Sequence, residues 1–155
     1  MSIDDFAEQY PFKPLGITEF EWKHINPDII LASGDLKLRP RDMAKLGYLY
    51  LNDGVWNNEC IISKEWVENS IEEYISIPRP YWVDTYGDSY GYQWWRRTEF
   101  AGSTPYRSFL RTGWGGQRIS VYPSLDMVVV LTGGNYETPE PVNEIITRYI
   151  LPAVG

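Results

Sequence analysis

The chain is 155 residues long, with 14 Lys and Arg against 21 Asp and Glu for a formal charge of −7, and that length is room for one domain. Hydrophobic residues make up 43% and aromatic ones 15%, enough to bury a core and far from the composition of a disordered chain. The acidic balance excludes a nucleic-acid partner, because displacing phosphate counterions needs a basic face.

Residues 4–16 read as the tail of a helix carrying Phe6, Ala7 and Tyr10, ended by Pro11, Pro14 and Gly16. No capping residue is evident ahead of it, which suggests an element begun upstream. Asp4, Asp5 and Glu8 stand where a signal peptide needs a basic start. Residues 22–38 read as loop with short extended pieces, turning at Asn26-Pro27-Asp28 and at Ser33-Gly34-Asp35. From Pro40 the period changes. Met43, Leu46, Gly47, Tyr50 and Leu51 form one apolar stripe of a helix, with Pro40 in its first turn and Asp42 at its positive end. Asn52-Asp53-Gly54 stops that helix, and Asn57-Asn58 is a turn between short extended arms at Val55-Trp56 and at Cys60-Ile61-Ile62. Ser63 then caps a helix carrying Trp66, Val67, Ser70, Ile71 and Tyr74, with Pro78 and Pro80 ending the region.

The second half switches to strands. Residues 90–96 are rich in aromatics, 109–112 and 117–122 are short strand-like runs, and 127–132 is a continuous apolar run of the kind covered on both faces. Pro123-Ser124-Leu125-Asp126 ties the last two into an antiparallel hairpin. Val142, Ile145, Ile146, Tyr149 and Ile150 then repeat the helical stripe. Helices, an antiparallel meander and a closing helix make an α+β unit spanning residues 1–155. No apolar run approaches the ~20 residues that cross a bilayer.

Most catalytic constellations are missing. One histidine, His24, in a loop with no Gly-x-Ser-x-Gly elbow, argues against a Ser-His-Asp triad. Together with one cysteine it also leaves a metal site without its ligands. Cys60, in an apolar run, reads as a small buried hydrophobe. Asp84 and Asp88, in a turn-rich stretch, read as solvating carboxylates. No cofactor is expected. The most informative segment is Arg111-Thr112-Gly113-Trp114-Gly115-Gly116-Gln117. Three glycines in four positions open a stretch of sheet edge either to another backbone or ligand, as in β-augmentation, or to a bulge or sharp bend.

Phe12-Lys13-Pro14-Leu15-Gly16-Ile17, Arg39-Pro40-Arg41-Asp42-Met43-Ala44, Leu51-Asn52-Asp53-Gly54-Val55-Trp56, Tyr90-Gly91-Tyr92-Gln93-Trp94-Trp95 and Gly113-Trp114-Gly115-Gly116-Gln117-Arg118-Ile119 follow one another in an order that resembles the C-terminal half of the serine β-lactamase-like hydrolases. That family takes in class C β-lactamases, D,D-peptidases and other penicillin-binding proteins, and β-lactamase-fold esterases. The resemblance implies a partial transpeptidase-like fold, an antiparallel sheet with helices packed on it. It also implies a site made of a Ser-x-x-Lys nucleophile, a Tyr-x-Asn or Ser-x-Asn relay, and a Lys-Thr-Gly, His-x-Gly or Trp-x-Gly strand. Only the third is present, as Trp114-Gly115-Gly116, with the Gln117 N–H as an oxyanion-hole donor and Trp114 lining the substrate cleft. Arg111-Thr112-Gly113 is a rival register, with arginine in place of lysine.

No serine has lysine three residues on; Ser108 to Arg111 imitates the spacing, and arginine does not deprotonate to serve as a base. Tyr50-Leu51-Asn52 matches Tyr-x-Asn in letters but belongs to the helix stripe. The expectation is a C-terminal portion of a hydrolase whose nucleophile and base lie outside this chain, inactive alone, acting in the complete protein on a small-molecule or peptidoglycan-like substrate. The Trp-x-Gly variant leans toward an esterase or peptidase. Family resemblance also suggests a bacterial, cell-envelope setting. The rival expectations are a non-catalytic module binding cell-wall glycan or peptide through exposed aromatic rings, set against rings such as Trp56, Trp66 and Trp94 packing inside, and self-association through a face left open.

Overall fold

The computed structural model describes residues 1–26, 29–32, 34–77, 87–138 and 140–154. The residues of the expected turns at Pro27, Asp28 and Ser33, the pair Pro78 and Pro80, and Asp84 lie outside them. Helix α1 (Ile3–Ala7) runs on as a π-helical turn over Glu8–Phe12. Ser2 and Asp5 close its start as a capping box, each side chain accepting the other's backbone N–H at 3.3 Å. This corrects the expectation of an uncapped helix tail. Three short pairs follow in the first half: β1 (Phe20–Trp22) with β4 (Leu36–Leu38), β2 (His24–Asn26) with β3 (Ile29–Ile30), and β5 (Val55–Trp56) with β6 (Glu59–Cys60). Asn57 and Asn58 both take positive φ, 49° and 68°, the two-residue hairpin turn that asparagine accommodates best after glycine.

Helix α2 (Pro40–Leu51) and helix α3 (Lys64–Ile71, capped by the Ser63 hydroxyl on the Trp66 N–H) precede the main sheet. That sheet has six antiparallel strands in the order β12-β11-β10-β9-β8-β7: Met127–Leu131, Gln117–Tyr122, Thr104–Gly113, Trp95–Ala101, Ser89–Tyr90 and Ile75–Ser76. Of the aromatic-rich run 90–96, Tyr90 ends β8, Trp95 and Arg96 open β9, and residues 91–94 form the turn between the two strands. Tyr74, placed in the stripe of α3, lies beyond that helix's end and is exposed.

Alternation along the strands sends two sets of side chains to opposite faces. Phe109, Ile119 and Val121 meet Met43, Tyr50 and Leu51 of α2 with buried Trp94 among them. Tyr106, Tyr122 and Val129 meet the closing helix at Val142, Ile146 and Leu151. That helix is α4 (Val142–Ile145), a π-helical stretch Ile146–Ile150 and α5 (Leu151–Val154). Pro152 offers no N–H to the preceding turn and its ring crowds the carbonyl four residues back; just ahead of it, the Leu151 N–H reaches back five residues to the Ile146 carbonyl. The extra residue per turn moves the buried position from Ile150 to Leu151 and leaves Tyr149, expected in the stripe, 67% exposed. The third core cluster gathers Phe12, Leu15 and Ile17 against Leu49 on a further side of α2.

Candidate functional site

Trp114, Gly115 and Gly116 form the three-residue turn that joins β10 to β11, with Gly113 paired across it to Gln117. The sequence left open strand addition along a sheet edge or a bulge or sharp bend. The structure has the bend, a hairpin tip between two interior strands, so strand addition along these residues is closed off; the edges of the sheet are β12 and β7. Gly115 and Gly116 have φ of 87° and 92°, values that side-chain-bearing residues rarely adopt. Both lie buried, while Trp114 at the apex is 76% exposed.

The tip is held from behind by the segment after β12. The Asn135 N–H donates to the Gly115 carbonyl at 3.0 Å, the Gln117 side-chain amide donates to the Gly133 carbonyl, and the Gly115 N–H donates to the Glu140 carboxylate at 3.0 Å. The Tyr136 ring fills the space a Gly115 side chain would need, its Cε1 lying 2.5 Å from an ideal Cβ. It stands edge-on to Trp114, centroids 5.2 Å apart and planes at 66°. Neither Tyr136 nor Glu140 was a site candidate in the sequence, since only the chain's return after β12 brings them to the glycines. The Asn135-Tyr136 dipeptide after a glycine pair signals a turn, without saying against what.

The other candidates fall elsewhere. Arg111 and Thr112 belong to β10, and the Arg111 guanidinium lies over the Trp94 ring, 4.8 Å from its centroid. Tyr50 packs its ring on Trp94 at 4.5 Å, and the Asn52 side chain donates to the Val55 carbonyl at 2.8 Å, so both serve the end of α2. Ser108 and Arg111 are three apart on a strand, which turns them to opposite faces; the Ser108 hydroxyl donates to buried Glu99. His24 is exposed on β2 with its Nε2 3.3 Å from Asp4. Asp88 has more to do than solvate: it accepts the Thr98 N–H at 2.8 Å. Cys60 is exposed, against the expectation of burial, because the short hairpin that carries it lies on the surface and turns Ile61 and Ile62 inward instead. Trp66 is likewise 52% exposed, whereas Trp94 is buried and Trp56 half-buried.

Beneath the sheet's other face lies a buried polar network that the sequence did not announce. The Arg118 guanidinium donates to Glu99 at 2.9 Å, to the Asn143 side chain at 2.6 Å and to the Ser120 hydroxyl at 2.9 Å. The Tyr122 hydroxyl donates to the second oxygen of Glu99. Burial, with the Glu99 charge adding to it, raises the Tyr122 pKa far above the ordinary phenol value, so this hydroxyl stays a donor. Glu99, Arg118, Ser120 and Tyr122 are buried and Asn143 is partly so, and the network ties the sheet to the closing helix.

Two concavities lie away from the hairpin tip. One of about 680 Å³ lies beside α1, lined by residues such as Asp5, Glu8 and Phe20; another of about 570 Å³ lies between α3 and the sheet, lined by residues such as Glu72, Arg96 and Arg107. Trp114 to Gln117 line neither, and the exposed Trp114 ring can contribute one wall of a cleft.

No protein-family model and no curated protein matches the sequence. Solved structures do. The "putative 6-aminohexanoate-dimer hydrolase" of Bacillus anthracis superposes over 99% of this chain with a TM-score of 0.75 at 20% identity. The "putative beta-lactamase" of Bacteroides dorei does so over 90% with a TM-score of 0.63 at 18% identity. The chain spans 38% and 49% of their respective lengths. Helices packed on an antiparallel sheet, in the arrangement of β-lactamase-fold hydrolases, are therefore the fold of this chain.

Proposed function

We propose that the chain forms the substrate-cleft portion of a β-lactamase-fold serine hydrolase that cleaves an amide or ester through an acyl-enzyme. In this reading the Ser-x-x-Lys and Tyr-x-Asn groups come from outside residues 1–155, and Trp114-Gly115-Gly116 takes the position of the family's third motif. The observation that carries it is the built turn itself: two buried positive-φ glycines raise Trp114 into solvent at the mouth of β11. The hydrolase names of the two structural neighbours support the reaction class. The Gly115 N–H is taken by Glu140; by analogy with the family's third motif, the oxyanion donor is assigned to the Gln117 N–H, the first of β11. A preorganised backbone donor of this kind stabilises the charge that develops on the tetrahedral intermediate.

Without a nucleophile the isolated chain should turn over neither nitrocefin nor a short-chain p-nitrophenyl ester above a heat-treated control. Turnover would overturn the assignment of the nucleophile to residues outside the chain. The genomic reading frame ahead of the Met1 codon supplies the complementary check, since it should encode Ser-x-x-Lys and then Tyr-x-Asn.

A second reading, a module that binds cell-wall glycan or peptide, is favoured by one surface. Trp66, Tyr74 and Tyr92 are each about half exposed, with Tyr74 and Tyr92 stacked at 4.8 Å and Trp66 5.9 Å from Tyr92. Flat exposed rings are what sugar faces stack on. Titration with cell-wall fragments followed by tryptophan fluorescence decides it; a flat response removes this reading.

A further inference from the structure

The corner between Trp114 and Tyr136 combines three properties. Both rings are large and open to water, 76% and 53% exposed. Their edge-to-face arrangement, at 66°, leaves ring face uncovered, where the π-cloud is negative. The corner is also rigid, since the Tyr136 ring is lodged where Gly115 lacks a side chain and the Tyr136 N–H is tied to the Gly134 carbonyl at 3.0 Å. Rings fixed in advance lose little freedom on binding.

The third property is charge. Glu140 is half-buried and its carboxylate is pinned by the Gly115 N–H, the residue next to Trp114. Among the described residues no Lys, Arg or His forms an ion pair with it, nor with exposed Glu137 one residue from Tyr136. A half-buried carboxylate with no counter-ion among the described residues, held by the backbone of Gly115 that follows Trp114 and packs on the Tyr136 ring, on a chain of formal charge −7, disfavours an anion and leaves a plain apolar group no use for the charge. A cation answers both, because aromatic faces and a carboxylate attract it together.

We propose that Trp114, Tyr136 and Glu140 form a subsite for an organic cation, an alkylammonium or quaternary ammonium group carried by the ligand. This deepens the hydrolase reading by naming the group that its substrate presents to this wall of the cleft. The binding itself requires no nucleophile, so it is measurable on the 155-residue chain.

The probes are choline and its neutral isostere 3,3-dimethylbutan-1-ol, titrated by calorimetry and by proton NMR of the indole signals. Choline should bind at least about tenfold more tightly than the alcohol. Glu140→Gln keeps an acceptor for the Gly115 N–H and removes only the charge; it should weaken choline about tenfold and leave the alcohol unchanged. Trp114→Leu and Tyr136→Leu should lose choline, Tyr136→Phe should keep it, and Trp66→Leu, on the other aromatic surface, should bind as the parent does. Equal affinity for the two probes, binding of neither, or loss of choline in the Trp66 variant with retention in the Trp114 variant would each overturn the subsite. None of these outcomes bears on whether the chain turns over nitrocefin, so the two proposals fail separately.

Discussion

At Gly47 two effects of comparable size oppose each other. Alanine is the better helix former by about 1 kcal/mol. A Cβ at this position, however, would lie 2.6 Å from Val128 Cγ1 and 2.9 Å from Ile119 Cγ2, methyls on two strands hydrogen-bonded to each other. Neither can retreat without shifting the sheet, and overpacking of that kind costs about 1–3 kcal/mol. Packing should win: Gly47→Ala lowers stability by about 1 kcal/mol in urea unfolding, and a more stable variant would refute the close seating of α2. Asp42, five residues earlier, is 1% exposed. Burial opposes its charge, but Lys45 Nζ at 2.7 Å and Arg39 Nε at 2.8 Å outweigh that and hold its pKa below the ordinary carboxylate value. A lowered folded-state pKa makes the charged form the stabilising one. Its contribution is complete above the unfolded value, near 4, and is lost as the pH falls through the folded value. Asp42→Asn should therefore cost about 1–2 kcal/mol at neutral pH, and its deficit against the parent should shrink on acidification toward pH 3. A deficit independent of pH would place the effect in packing.

At the scale of elements, the pairing of β9 and β11 with the closing helix depends on Glu99 and Arg118. Their side chains are 0% and 2% exposed. Removing one partner of a buried pair leaves the other charge uncompensated, a cost of about 3–5 kcal/mol, whereas replacing both with apolar residues of similar volume is often near neutral. Glu99→Gln should thus be severely destabilising, and Glu99→Met with Arg118→Leu should recover much of the loss. Thermal unfolding of the two single variants and the pair measures this; additive losses would show that the two groups act independently. The same elements show what a sequence reveals. β11 and β12 were legible at 117–122 and 127–132, the latter one residue beyond the observed Met127–Leu131, because apolar strand residues and the turn from Pro123 to Asp126 are local signals. Glu99 and Arg118 were not, because a charged residue inside a strand reads as solvent-facing until its partner, 19 residues away and two strands on, is known. Tyr149 was misplaced for a different reason: the periodicity assumes 3.6 residues per turn, and the π-helical stretch before Pro152 breaks that count. At the candidate site the glycines announced a special backbone, but only tertiary packing shows that it is a hairpin tip held by Asn135, Tyr136 and Glu140.

For the whole molecule the sheet's two ends differ. β7 is two residues long, whereas β12 presents five, Met127 to Leu131, without a charge, a proline or a register break. Those are the devices that ordinarily blunt an edge. Both faces of β12 are covered, by α2 and by the closing helix, so what remains open is its outer row of backbone donors and acceptors. No turn or loop backbone group among the described residues bonds to residues 127–131. An antiparallel pairing of β12 with the same strand of a second copy would satisfy that row symmetrically and join two six-stranded sheets. The formal charge of −7 on each copy opposes this at low ionic strength, and salt screens the repulsion. Self-association of the isolated chain should therefore grow with concentration and also with added salt, the reverse of an interface held by ion pairs. Sedimentation velocity between about 10 and 500 μM, in the range where open edges associate, at low and high salt, tests both dependences. A monomer throughout would mean that the β12 edge is not available to a second copy, and weakening by salt would assign the contact to charged side chains instead of the strand.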